Sequence, residues 1–525
     1  MILLSNGTVV DGSGSPGREV SVLIHGGRVR EVGAVAASPD MEVVDCSGLT
    51  VAPGFIDVHS HSDLEVLEHR PEKVLQGVTT EVVGNCGFSL FPKLPSEKLV
   101  PSFDLFERRG NKAWTDAAAY FDDLQEVGSR TNVAALTGHA TLRANVCGIK
   151  AAPLDSAEWR RMERRLSSCL EQGSIGFSTG LNEAPSSYGD FAELARLCRI
   201  VHGHDAYYTT HLRDYKFHIL EAVEEALNLG RETGVSVQLS HLQTVGRMNW
   251  EKMDAVLDLV DRAERDGVDV GVDAYPYLAG SCHLTQVLPS WALEGGTGRL
   301  LERLSDKDTR GRIADETEAN LGNGWENLLI ASVRERGHQW IASARARSHQ
   351  ALVGRTIYRV AEERGRSGVE TALDLLQETR ASLMIVSFNQ SEENLRKVLS
   401  HPLTSIITDG VYTEGNPHPR TFGTYPTLLG EFVREKGWFT VEEAVHKSTA
   451  LPARRFKLER RGLLAPGYWA DVTVFDAKRI GTQADYMEPH RAPRGIHHLL
   501  VNGEWALREG NLLDRFPGRP LKHRG

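Results

Sequence analysis

The sequence predicts an α/β fold: a (β/α)8, TIM-like barrel, with a small β-sandwich built from both termini and an insertion between the last two barrel strands. Three observations lead there. Eight short apolar, mostly β-branched runs alternate with helical patterns through the middle of the chain. The two ends share a different style, short strands cut by Gly-rich turns. The regular spacing breaks once, before the eighth run. At 525 residues the chain is also too long for one compact core.

The first fifty residues read as strands at MILL (1–4), TVV (8–10), VSVLI (20–24) and RVREV (28–32), separated by DGSG (11–14) and Gly26-Gly27. The style returns in ADVTVF (470–475) and HLLVNG (498–503). The expected division is 1–52 with 461–525 for the β-domain and 53–460 for the barrel. Candidate barrel strands are 54–58, 81–84, 133–137, 173–178, 207–210, 235–240, 268–274 and 404–407, the number that a closed barrel requires. Amphipathic stretches such as ILEAVEEAL (219–227) fit helices between them. Residues from about 282 to 396 exceed an ordinary crossover and are expected to form a helical, lid-like insertion over the barrel mouth.

Composition excludes several classes. Hydrophobic residues make up 41% and charged residues 25%, as in ordinary globular proteins. The net charge of −10 is spread along the chain, and the one basic run, RRMERR (160–165), reads as a solvated helix face. Nucleic-acid binding is therefore not expected. Neither a signal peptide nor a membrane-spanning apolar run is evident. Six cysteines without a CxxC pair suit a reducing cytoplasm, with Cys46, Cys147, Cys169, Cys198 and Cys282 as packing residues.

Six metal-capable side chains fall at the C-terminal ends of these runs: His59 and His61 in GFIDVHSH, Cys86 in TEVVGNCG, His211 in YYTTHLR, His241 in VQLSHL and Asp409 in SIITDG. Barrel sites form at the carboxyl ends of the strands, so the six converge on one mouth. Imidazole, thiolate and carboxylate are ligands for a divalent metal such as zinc. His59 and His61 share one face of a strand because side chains alternate with period two. Asp57 lies on the same face and is expected to orient a ligating ring. Hydrolysis by metal-activated water is the implied chemistry.

The sequence resembles the N-acyl-D-amino-acid deacylases (D-aminoacylases) of the amidohydrolase superfamily along nearly its whole length. The motifs that carry the likeness are APGFIDVHSH (52–61), GNCGFS (84–89), YTTHLR (208–213), DAYPYLAGS (273–281), TDG (408–410) with HPR (418–420), and GLLAPGYWADV (462–472). The resemblance implies one zinc held tightly by Cys86, His211 and His241, and a second, weaker site at His59 and His61 that Cys86 can bridge. It makes Asp409 the general base and acid. It assigns the substrate α-carboxylate to Arg420, Tyr275 and Ser281. His139 in TGHATLR (137–143) ends the third strand and is a candidate for the carbonyl oxygen. The implied activity is hydrolysis of N-acyl-D-amino acids, small molecules, to a carboxylate and a free D-amino acid.

Two positions depart from the family pattern. The sixth strand ends His241-Leu242-Gln243 where a lysine is usual, so Gln243 offers the substrate hydrogen bonds without charge. STGLNEAP (178–185) lacks the usual aromatic residue after Gly-Leu and instead carries Glu183. Both argue against an acidic side-chain preference. A cyclic amidohydrolase of hydantoinase or dihydroorotase type is the alternative, but the fourth strand has no lysine to bridge two metals. A non-catalytic scaffold homologue would not be expected to keep all six side chains.

Overall fold

The computed structural model describes residues 1–94, 100–106, 113–333 and 349–523. Eight parallel strands form the barrel sheet: Phe55–Asp57, Val78–Val83, Asn132–Gly138, Gly176–Gly180, Tyr207–His211, Ser236–Leu239, Val270–Ala274 and Thr404–Ile406. They follow the eight expected runs in order, each next to its sequence neighbour. Nearly every strand residue is buried, which is why these segments are apolar runs and do not alternate. Helices cover the outside. Ser156–Glu171 starts at a capping box in which Asp155 accepts from the backbone N–H of Glu158. Ile219–Thr233 ends at Gly234 in the left-handed region, with φ 75°.

The ring closes at its mouth. Gly410–Val411 pairs in parallel with Ser60–His61, and the Asp409 N–H donates to the His59 carbonyl at 2.9 Å. Below that seam Asp57 accepts from the Thr408 N–H at 2.9 Å and from Thr408 Oγ1 at 2.6 Å. Lys73 donates to Asp57, to Ser60 Oγ at 2.9 Å and to Thr408 Oγ1 at 2.6 Å. Asp57 therefore latches the first strand to the eighth and orients no ligating ring, contrary to expectation. Its side chain is pulled into the closure because Lys73 is the cation within reach.

The strands of the termini share one nine-stranded sheet. The first half of Ile2–Val9 pairs with Glu42–Asp45 and its last residues pair with Thr50–Pro53. Leu4, Val22, Val44, Val472, Leu500 and Trp505 from both chain ends meet in one apolar core. The last described residues leave that sheet and run along the third barrel strand, where the Leu521 N–H donates to the Val133 carbonyl at 2.7 Å.

The insertion is not purely helical. Ala279–His283, Leu328–Val333 and Leu383–Phe388 form a three-stranded antiparallel sheet, with helices at Thr297–Ser305, Lys307–Asn320, Ile357–Arg364 and Gly368–Glu378. Leu284, Ile313, Trp325, Ile330, Leu373 and Ile385 form a core that continues into the barrel through Phe88, Ala140 and Ala144. Residues 334–348, which the expected insertion includes, lie outside the described residues. Among the described residues no helix is long and apolar enough to cross a membrane.

Candidate metal centre and active site

The six predicted side chains meet at the barrel mouth. Cys86 Sγ lies 3.3 Å from His59 Nε2, 3.6 Å from His241 Nε2 and 3.8 Å from His211 Nδ1. Asp409 Oδ1 is 3.2 Å from His61 Nε2 and 3.6 Å from His59 Nε2. Two overlapping sets could each hold an ion, His59–Cys86–His241 and His59–His61–Asp409, with ligand atoms within 4.8 Å of one another. His59 thus stands in both sets, whereas the resemblance placed it with His61 in the weaker site that Cys86 can bridge.

The backbone is bent to make this cluster. Cys86, His241 and Asp409 have φ of 51°, 35° and 47°, a region that non-glycine residues seldom occupy. Such conformations persist where the surrounding structure forces them, and they gather at functional sites. The Cys86 loop fits because the fourth strand ends in glycine: a Cβ on Gly180 would lie 2.3 Å from the Cys86 carbonyl oxygen.

Two residues that the sequence reading did not single out hold the cluster in place. Asp273, at the end of the seventh strand, accepts from the His241 N–H at 2.6 Å and from Gln238 Nε2 at 2.9 Å, and stands 3.5 Å from His59 Nδ1. It takes the orienting role that was expected of Asp57. The Tyr215 hydroxyl accepts from the Leu212 N–H at 2.9 Å and donates to the Ser240 carbonyl at 3.0 Å. Its ring packs edge-on against His211 at 4.9 Å. Asp273 lies inside the DAYPYLAGS motif and Tyr215 four residues after His211, so both were within reach of the sequence.

Charges in the cluster support one another. Burial pushes the Cys86 thiol up, but His59, His211 and His241 outweigh it and hold Cys86 well below the usual thiol range. Burial also works against Asp409, yet the Arg420 guanidinium at 3.0 Å and His61 keep its carboxyl well below the ordinary value. His61 is depressed by burial and raised by Asp409 and Cys86, with a net rise to about 9. The donor set fits a zinc-type ion: one ionised thiol, four imidazoles and a carboxylate. Four ring nitrogens, His59 Nδ1, His61 Nδ1, His211 Nε2 and His241 Nδ1, are buried without a hydrogen-bond partner.

A cavity of about 370 Å³ opens beside the cluster, in the range of small-molecule sites. Arg420, Tyr275, Ser281 and Gln243 all line it. The Arg420 guanidinium lies over the Tyr275 ring at 4.5 Å, and the Tyr275 hydroxyl donates to Gln243 Oε1 at 3.4 Å. His139 is not brought to the cavity. Its Nδ1 is 2.7 Å from Ser186 Oγ and its Nε2 is 2.8 Å from Glu193 Oε1, so both ring nitrogens are used in the scaffold. All six cysteines are free, but Cys282 lines the cavity and is not only a packing residue.

Fold and site together define a barrel of the metal-dependent hydrolase kind. The chain belongs to the amidohydrolase family, whose model matches residues 42–505. It is 34% identical to a D-aminoacylase from Alcaligenes xylosoxydans xylosoxydans over 99% of this chain and 97% of the relative. It is 35% identical to an N-acyl-D-glutamate deacylase from the same organism, over 100% of this chain and 95% of the relative. A crystal structure of N-acyl-D-glutamate deacylase from Bordetella bronchiseptica, complexed with zinc and a phosphonate mimic of the tetrahedral intermediate, superposes with a TM-score of 0.85. It is 32% identical and covers 99% of each chain.

Proposed function

We propose that this protein is a zinc-dependent deacylase that hydrolyses the amide bond of N-acyl-D-amino acids to a carboxylate and a free D-amino acid. One observation carries the reading: an ionised thiol, three imidazoles of the cluster and Asp409 line one cavity with an arginine whose donors are left over, and a fourth imidazole, His59, is fully buried against the thiol. Similarity along the chain to a D-aminoacylase and an N-acyl-D-glutamate deacylase supports the substrate class.

Cys86, His211 and His241 would hold the tight ion, with His59 and His61 forming the second, weaker position. When bound, zinc lowers the pKa of water to about 7 and polarises the amide carbonyl. Asp409 is ionised and faces both sets, so it takes the proton from the attacking water and returns it to the leaving amine. Arg420 pairs with Asp409 through Nη2, which leaves Nε and Nη1 buried and without partners among the described residues. Those two donors match a substrate α-carboxylate, and Tyr275 and Ser281 complete the grip. Selectivity for the D configuration is what the similarity to a D-aminoacylase and an N-acyl-D-glutamate deacylase implies. A cyclic amidohydrolase is not favoured, because Gly176–Gly180 and the residues after it, Leu181 to Pro185, contain no lysine.

The test is hydrolysis of matched N-acetyl-D- and N-acetyl-L-amino acids by the zinc-loaded protein, with hydantoin and dihydrouracil alongside. Turnover of the D-amides alone is expected, and ring opening without amide turnover would overturn the reading. Asp409→Asn should keep its zinc and lose about 10²- to 10⁴-fold in kcat. Near-normal turnover would remove Asp409 from proton transfer.

A further inference from the structure

The same cavity holds two carboxylates that the mechanism does not use, Asp214, which accepts from the Lys216 N–H at 2.5 Å, and the more deeply buried Glu183. Glu183 follows the fourth strand, is 9% exposed and lines the cavity with the metal cluster. Ser102 Oγ donates to its Oε2 at 2.8 Å, and Gln286 Nε2, from the insertion, donates to its Oε1 at 2.5 Å. Among the described residues no lysine or arginine pairs with it. The two arginines on the wall are paired with other carboxylates, and Lys216 is held by a backbone carbonyl. Arg420 is on Asp409, Arg213 is on Glu225 at 2.8 Å, and Lys216 donates to the Asn320 carbonyl at 3.0 Å. Flanking Glu183 are the neutral residues Asn182 and Cys282.

Burying a carboxylate away from any cation costs free energy, and such groups are ordinarily paired. Two donors orient Glu183 and neither neutralises it, and burial pushes its carboxyl up in spite of them. The missing partner is a positive charge, and the open side of the carboxylate is the substrate cavity. Strand order puts the fourth strand across the ring from the eighth, and Glu183, after the fourth, lines the same cavity as Arg420, after the eighth. A substrate gripped by its α-carboxylate at Arg420 therefore sends another arm toward Glu183.

We infer that Glu183 determines specificity by selecting N-acyl-D-amino acids that carry an ammonium or guanidinium group on the arm crossing the cavity. The inference rests on the deacylase reading above. The cation can belong to the amino-acid side chain or to the acyl group, and the substrates distinguish the two.

The experiment compares kcat/KM of the zinc-loaded enzyme for N-acetyl-D-lysine and N-acetyl-D-arginine with neutral N-acetyl-D-norleucine and acidic N-acetyl-D-glutamate. Glycyl-D-alanine against N-acetyl-D-alanine reads a cation on the acyl side. The wild-type enzyme should prefer one cationic member of these pairs by at least about tenfold, the size of a charge-assisted hydrogen bond. Glu183→Gln should bring that ratio to near one. A wild-type ratio at or below one in both pairs, or a preference for N-acetyl-D-glutamate, overturns the inference even if the variant does not fold. Calorimetric titration with D-lysine and D-norleucine reads the same contact without turnover. Charge-selective binding with no amide hydrolysed would overturn the deacylase reading and keep the role of Glu183. Hydrolysis without charge preference would do the reverse.

Discussion

His139 shows how a buried scaffold residue can be mistaken for part of a site when its partners are not visible in the sequence. His139 ends the third strand as a substrate contact would, yet it belongs to a clamp in which Glu193 receives both His139 and Arg143. Arg143 is fully buried. Burial opposes ionisation of Glu193, but His139 and Arg143 prevail and lower its carboxyl from 4.5 to about 2. A carboxylate depressed in the folded state stabilises the fold above its unfolded pKa, and the contribution is lost as pH falls through the folded value. The shift corresponds to roughly 3 kcal/mol at neutral pH. Glu193→Gln should therefore unfold more easily in urea at pH 7 by roughly that amount. The gap to wild type should close between about pH 5 and pH 2, whereas a gap constant with pH would show that Glu193 stabilises only as a hydrogen-bond acceptor.

Closure of the barrel is a matter of elements, and it depends on a polar latch. Lys73 is 2% exposed and sits among Asp57, Ser60, Thr408 and, at 3.7 Å, Glu81. Thr408 is the residue before Asp409, so the latch also sets where the proposed base stands. Lys73→Met would leave Asp57 and Glu81 as buried carboxylates without a cation, which costs about 3–5 kcal/mol. Adding Asp57→Asn to that variant should recover part of the loss in a double-mutant cycle. If Lys73→Met melts like the wild type, the ring is closed by its backbone pairing alone. The eight strands and the six clustered side chains were legible because buried parallel strands are β-branched runs whose ends carry the chemistry. Asp57 misled because period two puts it on the His59 face, and nothing in the sequence says that Lys73 will reach it first. Leu328–Val333 and Leu383–Phe388 were missed as strands because a six-residue apolar run reads equally as buried helix. Asp273 escaped notice because its role depends on its being opposite His241 across the sheet, a relation that linear spacing does not carry.

The whole molecule brings five of its eight strands to one point, and this gives metal binding a structural consequence. His59 and His61 follow the first strand, Cys86 the second and His241 the sixth, His211 ends the fifth, and Asp409 follows the eighth. The tight position would join ligands from the second, fifth and sixth strands, and the weaker one ligands beside the closing seam. Without an ion, an ionised thiol and an ionised carboxylate stand close together among four imidazoles. Anything that binds the folded form alone stabilises it by RT ln(1 + [L]/Kd), about 4 kcal/mol when the free ion is a thousandfold above Kd. Treatment with a chelator should therefore lower Tm in calorimetry, and added zinc should restore it. In Cys86→Ala the difference between loaded and chelated protein should shrink, because the thiol belongs to the set that holds the tight ion. Amide hydrogen exchange locates the effect: chelation should speed exchange in the strands that carry ligands and leave the terminal nine-stranded sheet unchanged. Equal melting of the loaded and chelated forms would mean that the barrel positions these six side chains without help from the ion, so that its strain is stored before binding and zinc adds chemistry alone.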